Sequence, residues 1–520
     1  MLGGGEADFF QEILAMIRSG SIRDKEALHR AKVQLARKYG LGYIPGDVEI
    51  LHSSDLGEGE RELLRIKRTR TISGVSVVAV MTSPERCPHG RCIYCPGGVE
   101  NNSPQAYTGY EPAALRGRTY AYDPYEQTFN RLRQLETIGH DTSKVDLIVM
   151  GGTFTARPEA YQREFVRGCL DAMNRQPSSG LEESMLVNED SDRRCIGLTV
   201  ETKPDWFFER EIDLSLSYGT TKVELGVQII NERVLRLNGR GHGVGEIVRA
   251  TQLARDAGLK IVYHVMPGMY GATEEDDMES FRLMMEDPRF MPDMLKIYPT
   301  LVVRGTPLYG LWRSGRYTPP DTERAVRFLQ FVLTNIKPWV RIQRIQRDIP
   351  VKFISAGVKR SDIRNLAERM LAENGMSTME IRSREVGKRG TDLEDCRLVR
   401  RDYMAAGGRE VFLSYETGSG DIVGFLRLRL PSDMAHRKEV IGSSIVREIK
   451  VFGEVVPVGS RPEAEWQHRG FGKALMAEAE RVSREEFGVG RILVISGIGV
   501  RNYFRNMGYE RLGPYMAKSL

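Results

Sequence analysis

Three of the six cysteines in this 520-residue chain fall within nine positions: Cys87, Cys92 and Cys95, in the phrase CPHGRCIYCPGG. A C-x4-C-x2-C spacing on one loop lets three thiolates reach three corners of a cubic site, and thiolates are the soft ligands that iron–sulfur clusters require. The fourth iron would stay open to a ligand that is not protein. Zinc is the competing reading, but a structural zinc site takes four protein ligands, and only His89 is near enough in sequence to help. Three unrelated buried thiols would explain neither the spacing nor the glycines Gly90, Gly97 and Gly98.

Further candidates follow short apolar runs. Gly151, Gly152 and Thr153 come after VDLIVM, where missing side chains would let a small ligand's amino group approach backbone carbonyls. Glu201 and Lys203 sit in ETKPD, an acid and a base able to grip a ribose hydroxyl and a carboxylate, and Gln228 ends KVELGVQ. With the cysteine loop, these phrases resemble the radical S-adenosylmethionine superfamily. That likeness implies a 4Fe-4S cluster whose open iron binds the methionine part of S-adenosylmethionine, and whose electron yields a 5′-deoxyadenosyl radical.

A second chemistry is written near the C-terminus. Gln467, Gly470 and Gly472 match the Q-x-x-G-x-G/A signature of GNAT acetyltransferases, followed by the helical stretch KALMAEAERVSREEFG. Exposed amides at such a helix start, aided by its dipole, seat the pyrophosphate of coenzyme A. Tyr503 is the candidate to protonate or hydrogen-bond the departing thiolate; packing as a core aromatic is its equally open structural role.

These residues need scaffolds. From Val75 six β-rich runs (VSVVAVMTS, VDLIVMGG, IGLTVET, KVELGVQ, KIVYHVMP, MLKIYPT) alternate with helical stretches, which predicts a parallel sheet with helical crossovers and active residues at the strand ends. In GVGEIVRATQLARDAG, Ile247, Ala250, Leu253 and Ala254 share one face before Gly258 stops the helix. After about residue 385 the pattern turns to antiparallel-looking strands, EVFLSY, DIVGFLRLRL and SIVREIKVFG, then a helix from Gly470 and the strand RILVIS. The expected class is α/β: a partial (β/α)6 barrel plus a C-terminal α+β acetyltransferase domain. The expected boundaries are 1–72 for a basic helical segment, 73–310 for the barrel, 311–385 for a connector and 386–520 for the acetyltransferase domain.

Bulk properties limit the setting. Six cysteines are too few for a disulfide framework, no eighteen-residue apolar run occurs, and MLGGGEADFFQEI lacks the order of a secretory signal, so a cytoplasmic protein without a membrane segment is expected. Net charge is only +5, but basic residues cluster: Arg23, Lys25, Arg30, Lys32, Arg37 and Lys38; then Arg61, Arg65, Lys67, Arg68 and Arg70; then a third run from Arg341 to Arg364. Such clusters suit a phosphate backbone, with solvated helix faces as the alternative.

The two domains together, and the phrases TSPERCPHGRCIYCPGG, IVMGGTF, YHVMPGMYG, LKIYPTLVVRGTPLY and SGIGVRNYFRNMGYERLGPYMAK, resemble the family of catalytic subunits of Elongator over essentially the whole chain. The resemblance implies a tRNA uridine-34 carboxymethyluridine synthase, also described as a tRNA acetyltransferase, acting on the anticodon stem-loop. In that chemistry the deoxyadenosyl radical takes hydrogen from the acetyl methyl group, the carbon radical adds to C5 of the wobble uridine, and thioester hydrolysis leaves the carboxymethyl group. It also implies acetyl-CoA contacts at Glu448, Ile449, Lys450 and Val451, at Phe471, Gly472 and Lys473, at Phe504, and at Lys144. An electron donor of unknown identity, and partner subunits or self-association, are further expectations.

The chain departs from the family at Lys450 and Phe452, where relatives usually carry histidine and tyrosine, and at Phe504, where a second tyrosine is common. Relatives place a cysteine where this chain has Ser383, and Cys396 has no cysteine neighbour, so no zinc is expected there. The rival enzyme class is a protein lysine acetyltransferase with a structural S-adenosylmethionine barrel.

Overall fold

The computed structural model describes residues 4–41, 43–52, 56–64, 74–386, 395–452 and 470–520. The basic residues Lys67, Arg68 and Arg70, and Gln467 of the acetyltransferase signature, lie outside them.

All six barrel strands form where the apolar runs place them: β1 (Ser76–Met81), β2 (Lys144–Met150), β3 (Arg194–Thr202), β4 (Lys222–Gln228), β5 (Lys260–Val265) and β6 (Met294–Ile297). A seventh, β7 (Arg341–Ile345), extends them, and the seven pair in chain order, all in parallel. RIQRI lies inside the stretch read as a connector and carries too much arginine to look like a sheet strand; its Ile342 is fully buried, and that anchors it. The sheet does not close, because β1 and β7 are its two edges.

Side-chain alternation sorts each strand into an outer face under helices and an inner face toward the barrel. On β2, Val145, Leu147 and Val149 are fully buried in the core shared with helix α1 (Glu159–Asn174), while Lys144, Asp146, Ile148 and Met150 point the other way. Helix α2 (Val244–Asp256) buries Ile247, Ala250, Leu253 and Ala254 as its periodicity predicts, and Gly258 at φ 87° turns the chain into β5.

The C-terminal domain is a second seven-stranded sheet. Its strands β8 (Arg397–Ala405), β9 (Gly408–Glu416), β10 (Ile422–Leu430), β11 (Ser444–Val451), β12 (Arg491–Val494), β13 (Glu510–Leu512) and β14 (Tyr515–Ser519) stand in the order 8-9-10-11-12-14-13. β8 is an edge strand whose residues, apart from Ala405, are all half-buried or exposed, so its sequence shows no apolar run. Pairing is antiparallel except between β11 and β12, which run in parallel over residues 444–446 only. Beyond that point β11 continues to Val451 without β12 beside it, so the two strands splay. Helix α3 (Phe471–Arg481) covers this sheet with Leu475, Met476 and Ala479.

The two domains share a buried ionic seam. From the barrel come Arg255, Asp256 and Asp293; from the second sheet come Glu410, Arg427, Arg429 and Arg447, all essentially without solvent exposure. Arg447 donates to both oxygens of Asp293 at 2.7 Å and to Glu410 at 2.8 Å, and Arg429 donates to Asp256 and Glu410. Gly497 and Gly499 press on the start of β3; a Cβ at Gly497 would lie 2.0 Å from the Ile196 carbonyl oxygen. The N-terminal helices (Gly4–Arg18, Lys25–Lys38) have a core of their own around Phe9, Ile13, Leu28 and Leu35. Several of their cations already have carboxylates: Lys25 and Lys32 with Asp47, Lys38 with Glu12, Arg30 with Glu26.

Candidate active site

Parallel strands deliver their C-terminal ends to one side of the sheet, and the loops there enclose a cavity of about 680 Å³. Its walls include Cys87, Cys92 and Cys95, Gly152 and Thr153 after β2, Glu201 and Lys203 at the end of β3, and Gln228 at the end of β4. The residues singled out from sequence at the strand ends therefore converge. Gly151 plays a different part: at φ 142°, with a Cβ position only 1.9 Å from Thr82 Oγ1, it lets the loop after β1 cross β2. Its N–H donates to Glu201 Oε2 at 3.2 Å.

Each thiol has its own partner. Cys87 Sγ lies 3.6 Å from Thr153 Oγ1, Cys95 Sγ accepts the Ala106 N–H at 3.0 Å, and Cys92 Sγ meets His89 Nε2 at 3.2 Å and Arg240 Nη1 at 3.4 Å. Burial pushes the Cys87 thiol up to about 11, and the neighbouring cysteines add to this. Three crowded, desolvated thiols favour the thiolate form only beside compensating positive charge. Burial, with Lys203 and Arg240 close by, holds His89 down to about 3, so its ring is neutral at ordinary pH. Glycine again makes room: a Cβ on Gly241 would stand 2.4 Å from His89 Cβ.

Above the thiols, Gly152 has φ 91° and a Cβ position 3.9 Å from Cys87 Sγ, leaving space where a side chain would intrude. Gln228 holds a left-handed φ of 69°, and its buried Oε1 has no hydrogen-bond partner. Strain and an unsatisfied acceptor at a cavity wall suit a site made for a polar ligand. Lys203 donates to Asp205 at 3.0 Å, and burial holds its pKa below the usual lysine value. Glu201 accepts from the Tyr107 hydroxyl at 2.7 Å. The donor set of three thiolates, with N–H groups aimed at two sulfurs, fits an iron–sulfur cluster; the bare Gly152 and the free Gln228 oxygen fit a small polar ligand beside it.

Deeper in the barrel lies a polar group that the motifs do not mark. Glu224 on β4 is fully buried between His264 Nε2 at 2.8 Å and Lys296 Nζ at 2.5 Å. Burial alone would raise its pKa, yet Lys296 and His264 pull it well below the carboxylate range. Arg240, Tyr107, His264 and Lys296 were all missed from sequence. The available signal was a charged residue inside an apolar strand, as in KIVYHV and MLKI, which marks the inner face of a barrel.

The described residues expected at an acetyl-CoA site lie toward the opposite end. β2 runs from Lys144 to Met150, so Lys144 stands roughly 20 Å from the cysteine side at about 3.3 Å per residue. Burial holds Lys450 down to about 8, with Arg341 of β7 adding to the effect, and brings Lys260 on β5 to about 8 beside Glu448. β11 therefore abuts the lower rim of the barrel. Gly470, at φ 82°, starts α3 and has no side chain to cap it, and among the described residues no side chain accepts from the first-turn amides of Phe471, Gly472 and Lys473. The Tyr503 hydroxyl would lie 3.1 Å from a Cβ on Gly472, beside that helix start, and the side chain is 41% exposed. Phe504 instead points into the domain core, edge-on to Tyr503 and Tyr509. Ile449 and Val451 complete the splayed part of β11. Ser383 shares hydrogen bonds with Glu380 and Arg364, and Cys396 is half-buried.

An open parallel barrel with a three-cysteine loop at its strand ends defines a radical S-adenosylmethionine protein, here joined to an acetyltransferase-type sheet. The Radical SAM superfamily model matches residues 81–284, and the Radical_SAM C-terminal domain model matches residues 292–373. The chain is 47% identical to the tRNA uridine(34) acetyltransferase of Methanocaldococcus infernus, covering 98% of each. It is 45% identical to Elongator complex protein 3 of Homo sapiens, over 95% of this chain and 93% of that protein. The solved structure of the archaeal Methanocaldococcus infernus Elp3 with an N-terminal deletion superposes with a TM-score of 0.77 at 45% identity, covering 86% of this chain and 100% of that one. The chain belongs to the family of tRNA uridine(34) acetyltransferases and Elongator complex protein 3. No helix among the described residues is long and apolar enough to cross a membrane.

Proposed function

We propose that this protein modifies the wobble uridine of tRNA to 5-carboxymethyluridine, taking the two-carbon unit from acetyl-CoA and using S-adenosylmethionine as the radical source. The observation that carries this reading is the single cavity where Cys87, Cys92 and Cys95 share walls with Gly152, Lys203 and Gln228, in a chain that also holds an acetyltransferase sheet. Cys87, Cys92 and Cys95 would hold the cluster. When bound, it supplies the electron that cleaves S-adenosylmethionine to a 5′-deoxyadenosyl radical.

The chain's own residues supply position and charge. Gly152 leaves room for the amino-acid end of the ligand, Lys203 faces its carboxylate, and Glu201, fixed by Tyr107 and the Gly151 N–H, accepts from a ribose hydroxyl. Gln228 Oε1 takes a donor it lacks in the free protein. At the other end, the α3 amides of Phe471, Gly472 and Lys473 seat the pyrophosphate of acetyl-CoA, and Tyr503 stands where it can donate to the departing thiolate. Glu448, Ile449, Lys450 and Val451 line the acyl end of that slot, and Lys144 lies on the barrel rim beneath it. An anticodon stem-loop as the bound part of the tRNA, and an external electron donor, belong to the same reading.

The test is anaerobic reconstitution with tRNA, acetyl-CoA, S-adenosylmethionine and a chemical reductant. Nucleoside mass spectrometry is expected to find 5-carboxymethyluridine together with 5′-deoxyadenosine. Deoxyadenosine formed with tRNA left unmodified would overturn the reading.

Arg240 adds a measurable consequence. Its guanidinium is buried against Cys92 Sγ and donates to the Gly226 carbonyl at 2.5 Å. A cation and N–H donor at a cluster sulfur favour the more negative, reduced state. Arg240→Met is therefore expected to lower the reduction potential of the reconstituted cluster and slow deoxyadenosine formation. A redox titration followed by electron paramagnetic resonance checks this; an unchanged potential would remove Arg240 from that role.

A further inference from the structure

The open side of the barrel is bridged by two loops. Residues 104–111 follow the cysteine loop and residues 346–353 follow β7. Arg347 donates to the Ala106 carbonyl, lies 3.8 Å from Glu111 and sits 5.5 Å over the Tyr107 ring. Tyr107, Glu111, Arg347 and Asp348 all line the cavity, so this bridge forms its rim. At the outer end of the bridge, Tyr110 and Phe353 stack with centroids 4.1 Å apart and planes 19° apart.

A stack that only clamped two loops together would gain most by being buried. Tyr110 keeps 42% of its surface exposed, and the adjacent Val351 keeps 53%. Arg118 lies 5.8 Å over the Tyr110 ring and Lys352 lies 5.2 Å from the Phe353 centroid, and neither has a carboxylate partner among the described residues. The surrounding basic residues differ: Arg341 pairs with Glu385, Arg344 with Asp348, Arg360 with Asp362 and Arg364 with Glu380. Among the described residues of the run at 341–364, Lys352 and Lys359 have no carboxylate partner, and of these Lys352 is the one that meets the aromatic stack.

An exposed aromatic stack flanked by uncompensated cations matches the two features of an unpaired nucleic acid strand, its π faces and its phosphates. A duplex keeps its base faces covered, whereas a loop can splay them. We propose that Tyr110 and Phe353 form a stacking platform for the unpaired bases of an RNA loop beside the base being modified, with Arg118 and Lys352 at the flanking phosphates. The proposal rests on the tRNA reading above and adds where on the cavity rim the loop is held.

The test uses the full chain and an anticodon stem-loop RNA. Tyr110→Ala with Phe353→Ala is expected to weaken binding by about 5- to 100-fold, the effect of losing a stacked base, while Tyr110→Phe binds as the wild type does. Arg118→Ala with Lys352→Ala is expected to reduce the slope of log affinity against log salt by about 1.4, near 0.7 for each single-strand phosphate contact. Folding does not enter a second measurement, made on the wild type: 2-aminopurine placed next to the target uridine is expected to be quenched on binding. Wild-type affinity in the double alanine variant, or a bright 2-aminopurine in the bound RNA, overturns the platform and leaves the tRNA reading standing. Unchanged RNA affinity with an altered oligomeric state assigns the stack to a protein contact and also overturns it. A wild-type chain that binds no RNA removes both readings.

Discussion

Cys95→Ala is expected to abolish both products, 5′-deoxyadenosine and the modified uridine, while leaving a folded protein. Cys95 is buried and its sulfur accepts one backbone N–H from Ala106, so truncation costs the fold only about 1 kcal/mol. The loss to the site is far larger, because a cluster that Cys87, Cys92 and Cys95 would hold would keep only two of its three thiolates. Iron content and the cluster's visible absorbance after reconstitution should fall with the products. Wild-type levels of modified uridine in this variant would sink the radical reading outright, since the loop holds no fourth cysteine to take the place of Cys95. The same variant should still bind acetyl-CoA, whose proposed slot is at the other end of the barrel, and equilibrium dialysis would check that separation.

The second large effect concerns stability. Asp293 is fully buried and accepts from Arg447 through both oxygens, with Arg255 and Arg427 each 3.6 Å away. Asp293→Ala strands three guanidinium groups without this partner at the domain seam, and breaking a buried pair in this way typically costs about 3–5 kcal/mol. Urea unfolding at neutral pH should show that loss, and an unchanged midpoint would mean the seam contributes nothing to folding. The pH dependence has a definite sign. Burial alone would raise the Asp293 pKa, but Arg447, Arg255 and Arg427 hold it well below the unfolded value of about 4. Its contribution is complete above pH 4 and disappears as the pH falls further toward the folded value. The wild type should therefore lose stability steeply below pH 4, and Asp293→Ala should lose less over the same range.

The barrel strands were legible because each is a short apolar run closed by polar or glycine residues, and so was the antiparallel character of the second sheet. β7 and β8 were not, because an arginine-rich strand and an exposed edge strand carry no apolar run to read. Basic clustering was legible, but its meaning was not. Lys25, Lys32 and Lys38 find carboxylates within the N-terminal helices, whereas Arg118 and Lys352 do not find any among the described residues. Phe504 illustrates the same limit in the opposite direction, since a residue expected at the acetyl-CoA site is turned into the core.

By itself the sequence determined the chemistry that depends on neighbours along the chain. Three thiolates within nine residues and a glycine-started helix are local arrangements, and the long phrases shared with the family settle membership. Tertiary structure alone decided what depends on residues that meet only after folding. Arg240 reaches Cys92 across 148 positions, Tyr107 fixes Glu201 across 94, and Arg447 closes on Asp293 across 154. The three cysteines mark a candidate cluster site because one loop sets their spacing. The electrostatics around them come from side chains that parallel strands carry to a common rim, and no pattern along the chain encodes that meeting.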